Sequence, residues 1–343
     1  MTLKITYGPW GETLDEMVAA ARAAEAAGAE VLWVPELHRS ATISAAAIAA
    51  GTEHAAVGTA IVLAFTRSPM VTALEAMDLD EMTQGRFILG LGTGVQRLNE
   101  LWHNAQWGKP VGHMRETVRN IRTFITHAST GETIDLPGDF EPMKIRGYER
   151  PFIQTRKSIP IYLGAMGPAM TKLVGEIGDG WISHELCSPK YLSEHLLPWL
   201  KEGMERSERP ADSVDVVVSA LCAVDSDGPR ARRWAAGTVG FYASVKTYED
   251  FFSFHDLAAE QATVIEAFRG GVGADYLGDY VPDHMVDALT VAGTPDEVME
   301  RIAAYDGLAT TIKITPPTHG LSGADTRASQ EKILKMIAEL IGN

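Results

Sequence analysis

Short apolar segments alternate with longer amphipathic segments along most of the chain. The apolar segments have the length of β-strands, and the amphipathic ones repeat their apolar residues with the period of an α-helix. The strands are predicted at residues 4–7, 31–34, 57–63, 87–91, 159–163, 181–184, 214–224 and 311–315. The helices are predicted at residues 13–27, 43–50, from Pro69 onward, and at 115–127, 169–177, 189–206 and 328–341.

This order predicts an α/β fold made of repeated strand–helix units. Continuous apolar strands that alternate with helices are typical of a parallel sheet covered by helices, and eight such units favour closure into a (β/α)₈ TIM barrel. An open doubly wound sheet is the alternative. The chain has no Gly-x-Gly-x-x-Gly after the first strand, which weakens the dinucleotide-binding form of that alternative. We expect residues 1–343 to form a single barrel domain.

Two segments interrupt the alternation and are predicted insertions in the βα loops. Residues 130–158 contain the turn sequence Leu136-Pro137-Gly138-Asp139 between short strand-like pieces, which predicts a hairpin. Residues 242–290 are longer and combine a helical patch at 257–268 with the glycine-rich stretch 270–273. Insertions at this position of a barrel can cover the active-site face, so both are candidate lids; ordinary surface insertions are the alternative.

Charge and composition narrow the class of protein. The 45 acidic residues outnumber the 30 Lys and Arg, and the net charge of −15 argues against a nucleic-acid-binding protein. Two cysteines do not predict a disulfide framework, and the N-terminus lacks the features of a secretory signal. The longest apolar run, residues 55–65, is shorter than the ~20 residues that span a bilayer. We therefore expect a cytoplasmic protein without a membrane segment.

Candidate chemical groups follow the predicted strands, because barrel enzymes carry their chemistry at the carboxyl ends of the strands. His38, His184 and His319 lie there, and an imidazole can exchange a proton near neutral pH. Glu36 is close to His38 and can orient its ring, contact a cofactor, or be a solvated loop charge. The chain has no His-x-His, His-Glu-x-x-His or Gly-x-Ser-x-Gly, so neither a metal site nor a serine nucleophile is predicted.

Two glycine-rich segments follow strands and predict a cofactor site. In the segment from Gly164 to Met170, small residues lead into a helix that begins at Pro168, and the free N–H groups of such a first turn can bind a phosphate. The segment Gly90-Leu91-Gly92-Thr93-Gly94 would allow a flat ring to approach the backbone. Close packing alone is the alternative explanation for both.

Several of these segments resemble one family. Residues 85–94, preceded by Leu79-Asp80-Glu81-Met82, resemble the signature of the bacterial luciferase-like superfamily of flavin- and deazaflavin-dependent oxidoreductases. Residues 66–69, 162–181 and 293–298 are also similar to that family, so the resemblance covers most of the chain. It implies the (β/α)₈ barrel that the alternation of elements predicts, and a homodimer.

The resemblance also implies roles for individual residues. It places a non-proline cis peptide at Ala60–Ile61, behind the cofactor ring, and makes Glu36 an acidic cofactor contact. Thr93, Gly94 and Asn99 match positions near the ring and its side chain. The cradle for the cofactor phosphate matches Gly164, Met166, Gly167, Ala169 and Met170, with backbone donors at Met166, Gly167 and Ala169.

The cradle is most similar to the branch that uses the deazaflavin coenzyme F420, which includes methylenetetrahydromethanopterin reductase. The catalytic histidine of the sugar-phosphate dehydrogenases aligns with Leu37, one place before His38, and Val95 replaces a glutamate, so sugar-phosphate oxidation is not expected. We expect hydride transfer between F420 and a small organic substrate, with His38 handling the proton. The alternatives are an FMN-dependent monooxygenase that uses O₂ and a partner reductase, and a non-catalytic cofactor-binding protein.

Overall fold

The computed structural model describes residues 2–342. The strands in this range are β1 (Lys4–Tyr7), β2 (Val31–Val34), β3 (Ala56–Thr59), β4 (Val62–Leu63), β5 (Phe87–Gly92), β6 (Ile134–Leu136), β7 (Met143–Ile145), β8 (Ile161–Gly164), β9 (Gly180–Ile182), β10 (Asp215–Val224), β11 (Val291–Gly293) and β12 (Thr311–Thr315). The helices are α1 (Leu14–Ala26), α2 (Ala41–Gly51), α3 (Pro69–Met82), α4 (Gln96–Trp102), α5 (Pro110–His127), α6 (Pro168–Ile177), α7 (Pro189–Tyr191), α8 (Leu197–Arg206), α9 (Gly228–Ala243), α10 (Glu249–Phe254), α11 (Ala258–Arg269), α12 (Asp283–Leu289), α13 (Pro295–Ala303) and α14 (Gly323–Gly342).

The fold is the predicted (β/α)₈ TIM barrel, in which parallel strands alternate with helices, rather than an open doubly wound sheet. The predicted third strand differs in one respect. It consists of β3 and β4, which are separated at a cis peptide bond between Ala60 and Ile61, as the family resemblance implies. None of the helices in residues 2–342 has both the length and the apolar character needed to cross a membrane.

The chain divides into two compact units. Unit 1 comprises the chain up to Glu30, residues 184–195 and the chain from Val217 onward, and unit 2 comprises Val31–Ser183 and Leu196–Val216. Within unit 1 the strand order is β11-β10-β12-β1, and within unit 2 it is β2-β3-β5-β8-β9, with β4 beside β5. All of these pairings that have a defined register are parallel.

In unit 1 the register of three strands aligns three polar residues. Lys313 of β12 lies opposite Thr6 of β1 on one side and opposite Ser219 of β10 on the other. Side chains of residues paired in a parallel sheet point to the same face, and alternate residues point to the opposite face. Thr6, Ser219 and Lys313 therefore share one face of the sheet, and all three are buried.

In unit 2 two glycines bring α6 and α8 into backbone contact. A Cβ atom added at Gly175 would lie 2.2 Å from the carbonyl oxygen of Leu200, and one added at Gly203 would lie 2.0 Å from that of Lys172. Larger residues at either position would force the helices apart, because backbone atoms cannot move aside as a flexible side chain can. This contact fixes the position of α6, whose first turn follows the Gly164–Gly167 segment.

The predicted hairpin in residues 130–158 is confirmed. β6 and β7 pair in antiparallel fashion, with Ile134 opposite Ile145. The hairpin is anchored on α5 by the Glu116 carboxylate, which accepts hydrogen bonds from three backbone N–H groups. These belong to Asp139 (3.0 Å), Phe140 (2.9 Å) and Glu141 (2.8 Å).

The second insertion, residues 242–290, contains more helix than the sequence predicts. The patch predicted at 257–268 is α11, but α10, α12 and a 3₁₀ turn over residues 274–280 accompany it. The 3₁₀ turn packs against α9, where a Cβ added at Gly240 would lie 2.8 Å from the carbonyl carbon of Leu277. Phe252 and Val264 of the insertion are fully buried, so it has a packed core; its role as a lid remains a prediction.

Candidate active site

The Ile61 side chain, at the break between β3 and β4, explains why two strands of unit 2 end in glycine. A Cβ atom at Gly92, the last residue of β5, would lie 2.7 Å from Cγ1 of Ile61. A Cβ atom at Gly164, the last residue of β8, would lie 3.2 Å from Cγ2 of Ile61. Both glycines therefore make room for the Ile61 side chain. From the sequence, the glycines at these strand ends predict space for a flat cofactor ring. Packing against Ile61 explains part of this glycine pattern.

Glu36, in the loop after β2, is held by two neighbouring groups of the protein. Its Oε1 accepts a hydrogen bond from Nη2 of Arg67 at 2.6 Å, and its Oε2 accepts one from the backbone N–H of Leu63 at 2.9 Å. The Arg67 guanidinium also lies 3.8 Å from the carboxylate of Glu75. Burial raises the pKa of Glu75, Arg67 opposes this shift, and Glu36 adds to it. Through its two hydrogen bonds, the Glu36 carboxylate connects Leu63 at the end of β4 to the Arg67 side chain.

The carboxylate of Glu36 does not orient His38. Both oxygens of Glu36 are used by Arg67 and Leu63, and His38 makes no hydrogen bond or ion pair within residues 2–342. His38 and its neighbour Leu37 are both exposed. The orientation that the sequence suggested as one role for Glu36 is thus wrong, whereas the part of His38 in proton transfer remains a prediction.

Thr93, Gly94 and Asn99 form a compact turn after β5. The amide nitrogen of the fully buried Asn99 donates to the carbonyl oxygen of Thr93 at 2.8 Å and to that of Val95 at 3.0 Å. Gly94 has a φ of 63°, and a Cβ added there would lie 2.6 Å from Cδ2 of Leu63. Within the described chain Asn99 Oδ1 accepts no hydrogen bond although it is buried. A buried acceptor of this kind is suited to an N–H donor of a bound molecule.

The segment from Gly164 to Met170 presents the first turn of α6 to open space. The backbone N–H of Ala165 donates to the carbonyl oxygen of Ile182 at 3.3 Å, and the carbonyl oxygen of Ala165 accepts from the Trp181 indole N–H at 3.0 Å. Both backbone groups of Ala165 are therefore held by neighbouring residues. Gly167 and Ala169 are exposed, Met166 and Met170 are partly exposed, and a Cβ added at Gly167 would meet nothing within 4 Å. The early N–H groups of a helix bind anions well, so this turn fits a phosphate.

A groove of about 470 Å³ lies beside the same turn of α6. Its charged residues form ion pairs: Arg115 pairs with Glu176, and Lys172 pairs with Glu202 at 2.7 Å. No sequence pattern predicts this groove as a whole, because its lining residues come from three helices. The groove is lined by Val111, Arg115, Pro168, Ala169, Lys172, Leu173, Glu176 and Arg206.

In unit 1 the histidines that follow β9 and β12 share an aromatic cluster. The His184 ring lies 4.2 Å from the ring of Tyr242 and 4.9 Å from that of Tyr248. Tyr242 contacts Phe241 at 5.2 Å, and Phe241 stacks on His319 at 4.3 Å, with 7° between the planes. Two of the three histidines selected from the sequence are therefore joined through Phe241 and Tyr242.

His184 is uncharged in this cluster. Burial, and then the charge of Lys313, lower its pKa to about 3. Its Nδ1 accepts the backbone N–H of Leu186 at 3.2 Å, so the proton of the neutral ring lies on Nε2. His184 can donate a hydrogen bond at neutral pH, but it cannot supply a proton from an imidazolium.

Sequence reasoning missed the charged residues of the same region. Lys313 is buried in the middle of β12, and Glu185 accepts a hydrogen bond from the Tyr242 hydroxyl at 3.4 Å. The one available signal was a lysine between two isoleucines in an apolar strand. Residues 2–342 contain no group of three or more His, Cys, Asp or Glu arranged to hold a metal ion, and Cys187 and Cys222 are buried and unbonded to each other.

Comparison with known proteins identifies the family. Residues 3–311 match the family described as luciferase-like monooxygenase. The chain belongs to this luciferase-like family. The resemblance seen in the sequence is therefore confirmed, and the chain is an oxidoreductase.

Three relatives of this luciferase-like protein are similar over most of their length. The 5,10-methylenetetrahydromethanopterin reductase of Methanolobus tindarius is 28% identical over 346 residues, covering 100% of both chains. The F420-dependent glucose-6-phosphate dehydrogenase of Microbacterium testaceum is 30% identical over 303 residues, covering 86% of this chain and 80% of the relative. The solved coenzyme F420-dependent tetrahydromethanopterin reductase of Methanopyrus kandleri has the same fold, with a TM-score of 0.80, 21% identity, and coverage of 97% of this chain and 96% of the other.

Proposed function

We propose that this luciferase-like protein is a coenzyme F420-dependent oxidoreductase that transfers a hydride between the deazaflavin and a small organic substrate. The observation that carries the proposal is the exposed first turn of α6, which follows Gly164 and offers backbone N–H groups to an anion. F420 is favoured over FMN because two of the relatives are named as F420-dependent enzymes.

The residues of unit 2 that would hold the cofactor are those selected from the sequence. Ala60 and Ile61 would lie behind the ring, Thr93, Gly94 and Asn99 would contact the ring and its side chain, and Gly164, Met166, Gly167, Ala169 and Met170 would form the phosphate cradle. The buried Oδ1 of Asn99 and the open space at Gly167 both fit a bound group. The bound deazaflavin would supply the hydride chemistry, and the protein would supply orientation and exclusion of water.

Glu36 has a supporting part in this proposal. Its carboxylate holds the Leu63 N–H and the Arg67 side chain, so it would shape the cofactor site by fixing the residues after the cis peptide bond. His38 would exchange the proton that accompanies the hydride, since its exposed ring is open to a substrate. Replacing His38 with alanine should then slow turnover much more than it weakens cofactor binding. Unchanged turnover would remove His38 from the mechanism.

The test of the proposal is a pair of fluorescence titrations of the apo protein, one with F420 and one with FMN, at equal salt. Saturable binding that prefers F420 supports the proposal. Preference for FMN would instead favour the oxygen-using monooxygenase that the family description names, and O₂ uptake with reduced FMN would then be measured. Binding of neither cofactor would overturn the phosphate cradle. Binding without redox exchange against a broad substrate panel would favour a non-catalytic binding protein.

A variant with an added negative charge in the phosphate cradle tests whether the cradle is where the cofactor binds. Gly167→Asp adds a carboxylate at a position where a Cβ meets nothing within 4 Å, so the fold should tolerate it. We expect its repulsion of the cofactor phosphate to weaken F420 binding by about 10-fold or more, equivalent to ~1.4 kcal/mol. Gly342→Asp is the matched control, because a Cβ there also meets nothing within 4 Å, at the end of α14. Equal affinities of the two variants would contradict the cradle.

The proposal includes a homodimer located in the cytoplasm. The family resemblance is the support for the dimer, and the composition is the support for the compartment. Sedimentation equilibrium of the purified protein tests the oligomeric state. A mass equal to that of one chain at all concentrations would contradict the homodimer.

A further inference from the structure

The short helix α4 of unit 2 has a polar side and an apolar side. Residues three and four positions apart lie on the same side of a helix. By this spacing Leu98, Leu101 and Trp102 share one side of α4. Gln96 and Glu100 lie on the opposite side, where the amide of Gln96 donates a hydrogen bond to the carboxylate of Glu100 at 2.9 Å.

The apolar side of α4 is exposed to solvent instead of being packed into a core. Trp102 is 70% exposed and Leu101 is 69% exposed. Val95, just before the helix, is also exposed, and Leu98 is partly exposed. We call these four side chains the α4 apolar face. A surface helix normally buries its apolar side, and grouped apolar side chains that stay exposed mark a binding site.

Measured contacts join the α4 apolar face to the turn where we place the cofactor ring. A Cβ added at Gly94 would lie 2.6 Å from Cδ2 of Leu63 and 3.9 Å from Cδ2 of Leu98, so two leucines flank this glycine. The buried amide of Asn99 donates to the carbonyl oxygen of Val95 at 3.0 Å, which ties the helix to the turn. The α4 apolar face therefore begins at the Gly94 turn and extends away from it along the helix.

The size and chemistry of the α4 apolar face fit a small apolar molecule. The exposed parts of its four side chains amount to roughly a few hundred Å², whereas each partner of a stable protein–protein interface buries about 800 Å². Apart from the indole N–H of Trp102, these side chains offer no hydrogen-bonding group and no charge. A sugar or a phosphate would gain little from them, but a hydrocarbon surface gains by leaving water.

We propose that the α4 apolar face binds the apolar part of the substrate, and that the substrate is an uncharged organic molecule with a body of several carbon atoms. This inference rests on the proposed function, because the reacting group of such a molecule would then lie at the Gly94 turn, beside the deazaflavin ring. Leu101 and Trp102 determine specificity through the area that they cover, and they take no part in the chemistry.

The first test measures binding of methyl ketones with five to eight carbon atoms to the apo protein. The readout is the indole N–H signal of Trp102 in the NMR spectrum of isotope-labelled protein, assigned by its loss in Trp102→Gln. The dissociation constant should fall by about 2- to 4-fold for each added methylene, since full burial of one methylene gives about a 4-fold gain. A Trp102 signal that shows no saturable shift with any of the ketones would overturn the proposal.

A matched pair of variants locates the binding. Leu101→Asn should weaken binding of the eight-carbon ketone by about 5-fold or more, because it removes apolar contact area. Ile153→Asn is the control, since it makes a similar change at a residue that is 91% exposed. Ile153 lies near the last turn of α5, where the neighbouring Gln154 donates to the carbonyl oxygen of Ile125 at 2.8 Å, whereas α4 precedes the first turn of α5. Equal weakening by the two variants would contradict the assignment to α4.

Sedimentation equilibrium separates a small ligand from a second copy of the chain. Leu101→Asn should have the same mass in solution as the wild-type protein. A fall from the mass of two chains to that of one would show that a second copy covers the α4 apolar face, and would overturn the proposal.

The last measurement adds the cofactor. In the F420-loaded protein, the eight-carbon ketone should change the fluorescence of the bound deazaflavin over the same concentrations that shift the Trp102 signal. Unchanged fluorescence would place the ketone away from the ring and overturn its position as a substrate. Failure of the wild-type protein to bind F420 would instead overturn the proposed function, and the ketone series would remain valid because it needs no cofactor.

Discussion

The Glu36 carboxylate and the Arg67 guanidinium are joined at 2.6 Å, although 31 positions separate them in the chain. Each residue follows a strand of unit 2, and the parallel order of these strands brings their carboxyl ends together. The second oxygen of Glu36 holds the N–H of Leu63, which lies two residues after Ile61. Glu36 thus connects the loop after β2 to the segment after the cis peptide bond.

Removing the Glu36 carboxylate should destabilise the protein. Glu36→Ala leaves the Leu63 N–H and the partly buried Arg67 without their acceptor, which costs about 1–3 kcal/mol. Glu36→Gln keeps an amide oxygen for Leu63 and should cost less. Urea denaturation of both variants measures the difference. Equal destabilisation by both variants would mean that the backbone hydrogen bond contributes little.

Gly94→Ala should destabilise the protein more than Gly147→Ala, although the two glycines have nearly the same φ angle. Gly94 has φ of 63° and Gly147 has φ of 67°, and an alanine in this left-handed region costs about 1–2 kcal/mol. A Cβ at Gly94 would also lie 2.6 Å from Cδ2 of Leu63, whereas one at Gly147 would meet nothing within 4 Å. Gly94→Ala should therefore lose more unfolding free energy than Gly147→Ala and should weaken cofactor binding. Equal losses would show that Leu63 moves aside without cost.

The barrel could be predicted because its signals are local. The strand predicted at 311–315 is β12, and the turn at Leu136-Pro137-Gly138-Asp139 connects β6 to β7. Each of these depends on residues that are adjacent in sequence, where apolar periodicity and turn chemistry act directly. The break at Ala60–Ile61 came from the family resemblance alone, since no propensity of Ala or Ile predicts a cis peptide bond.

The polar contacts of the candidate site could not be predicted in this way. The proximity of Glu185 to Lys313 depends on how distant parts of unit 1 pack, and one sequence does not show which face of β12 carries a given side chain. Proximity in sequence was misleading for Glu36, which binds Arg67 rather than His38. The number of helices in residues 242–290 was underestimated, because their apolar residues pack against α9 without a long amphipathic repeat.

The start of α13 should lose stability in acid. The Thr294 N–H, and then Arg232, lower the pKa of Glu297 from its ordinary 4.5 to about 2. A carboxylate with a lowered pKa in the folded state stabilises the fold above its ordinary pKa, and this contribution disappears as the pH falls from about 4.5 to about 2. Glu297→Gln should therefore be less stable than wild type at about pH 6, and this difference should shrink towards about pH 2.

Urea denaturation at several pH values measures this dependence. Glu300→Gln is the control, because Glu300 lies on the same helix and is exposed. At about pH 6 this control should stay within about 0.5 kcal/mol of wild type, the usual effect of an exposed surface substitution. A difference between Glu297→Gln and wild type that stays constant with pH would contradict the assignment of the acid sensitivity to Glu297.

Changing the amide of Asn99 to a carboxylate should disrupt the turn after β5. Asn99 donates to the carbonyl oxygens of Thr93 and Val95, and Asp offers only acceptors when ionised. Asn99→Asp would bury a charge against two carbonyl oxygens, so we expect a loss of about 3 kcal/mol or more and at least a 10-fold weaker binding of F420. Asn104→Asp makes the same chemical change at an exposed loop residue and should stay within about 0.5 kcal/mol of wild type. Because Thr93 and Gly94 belong to the turn that Asn99 holds, normal F420 affinity in a folded Asn99→Asp protein would place the cofactor away from this turn.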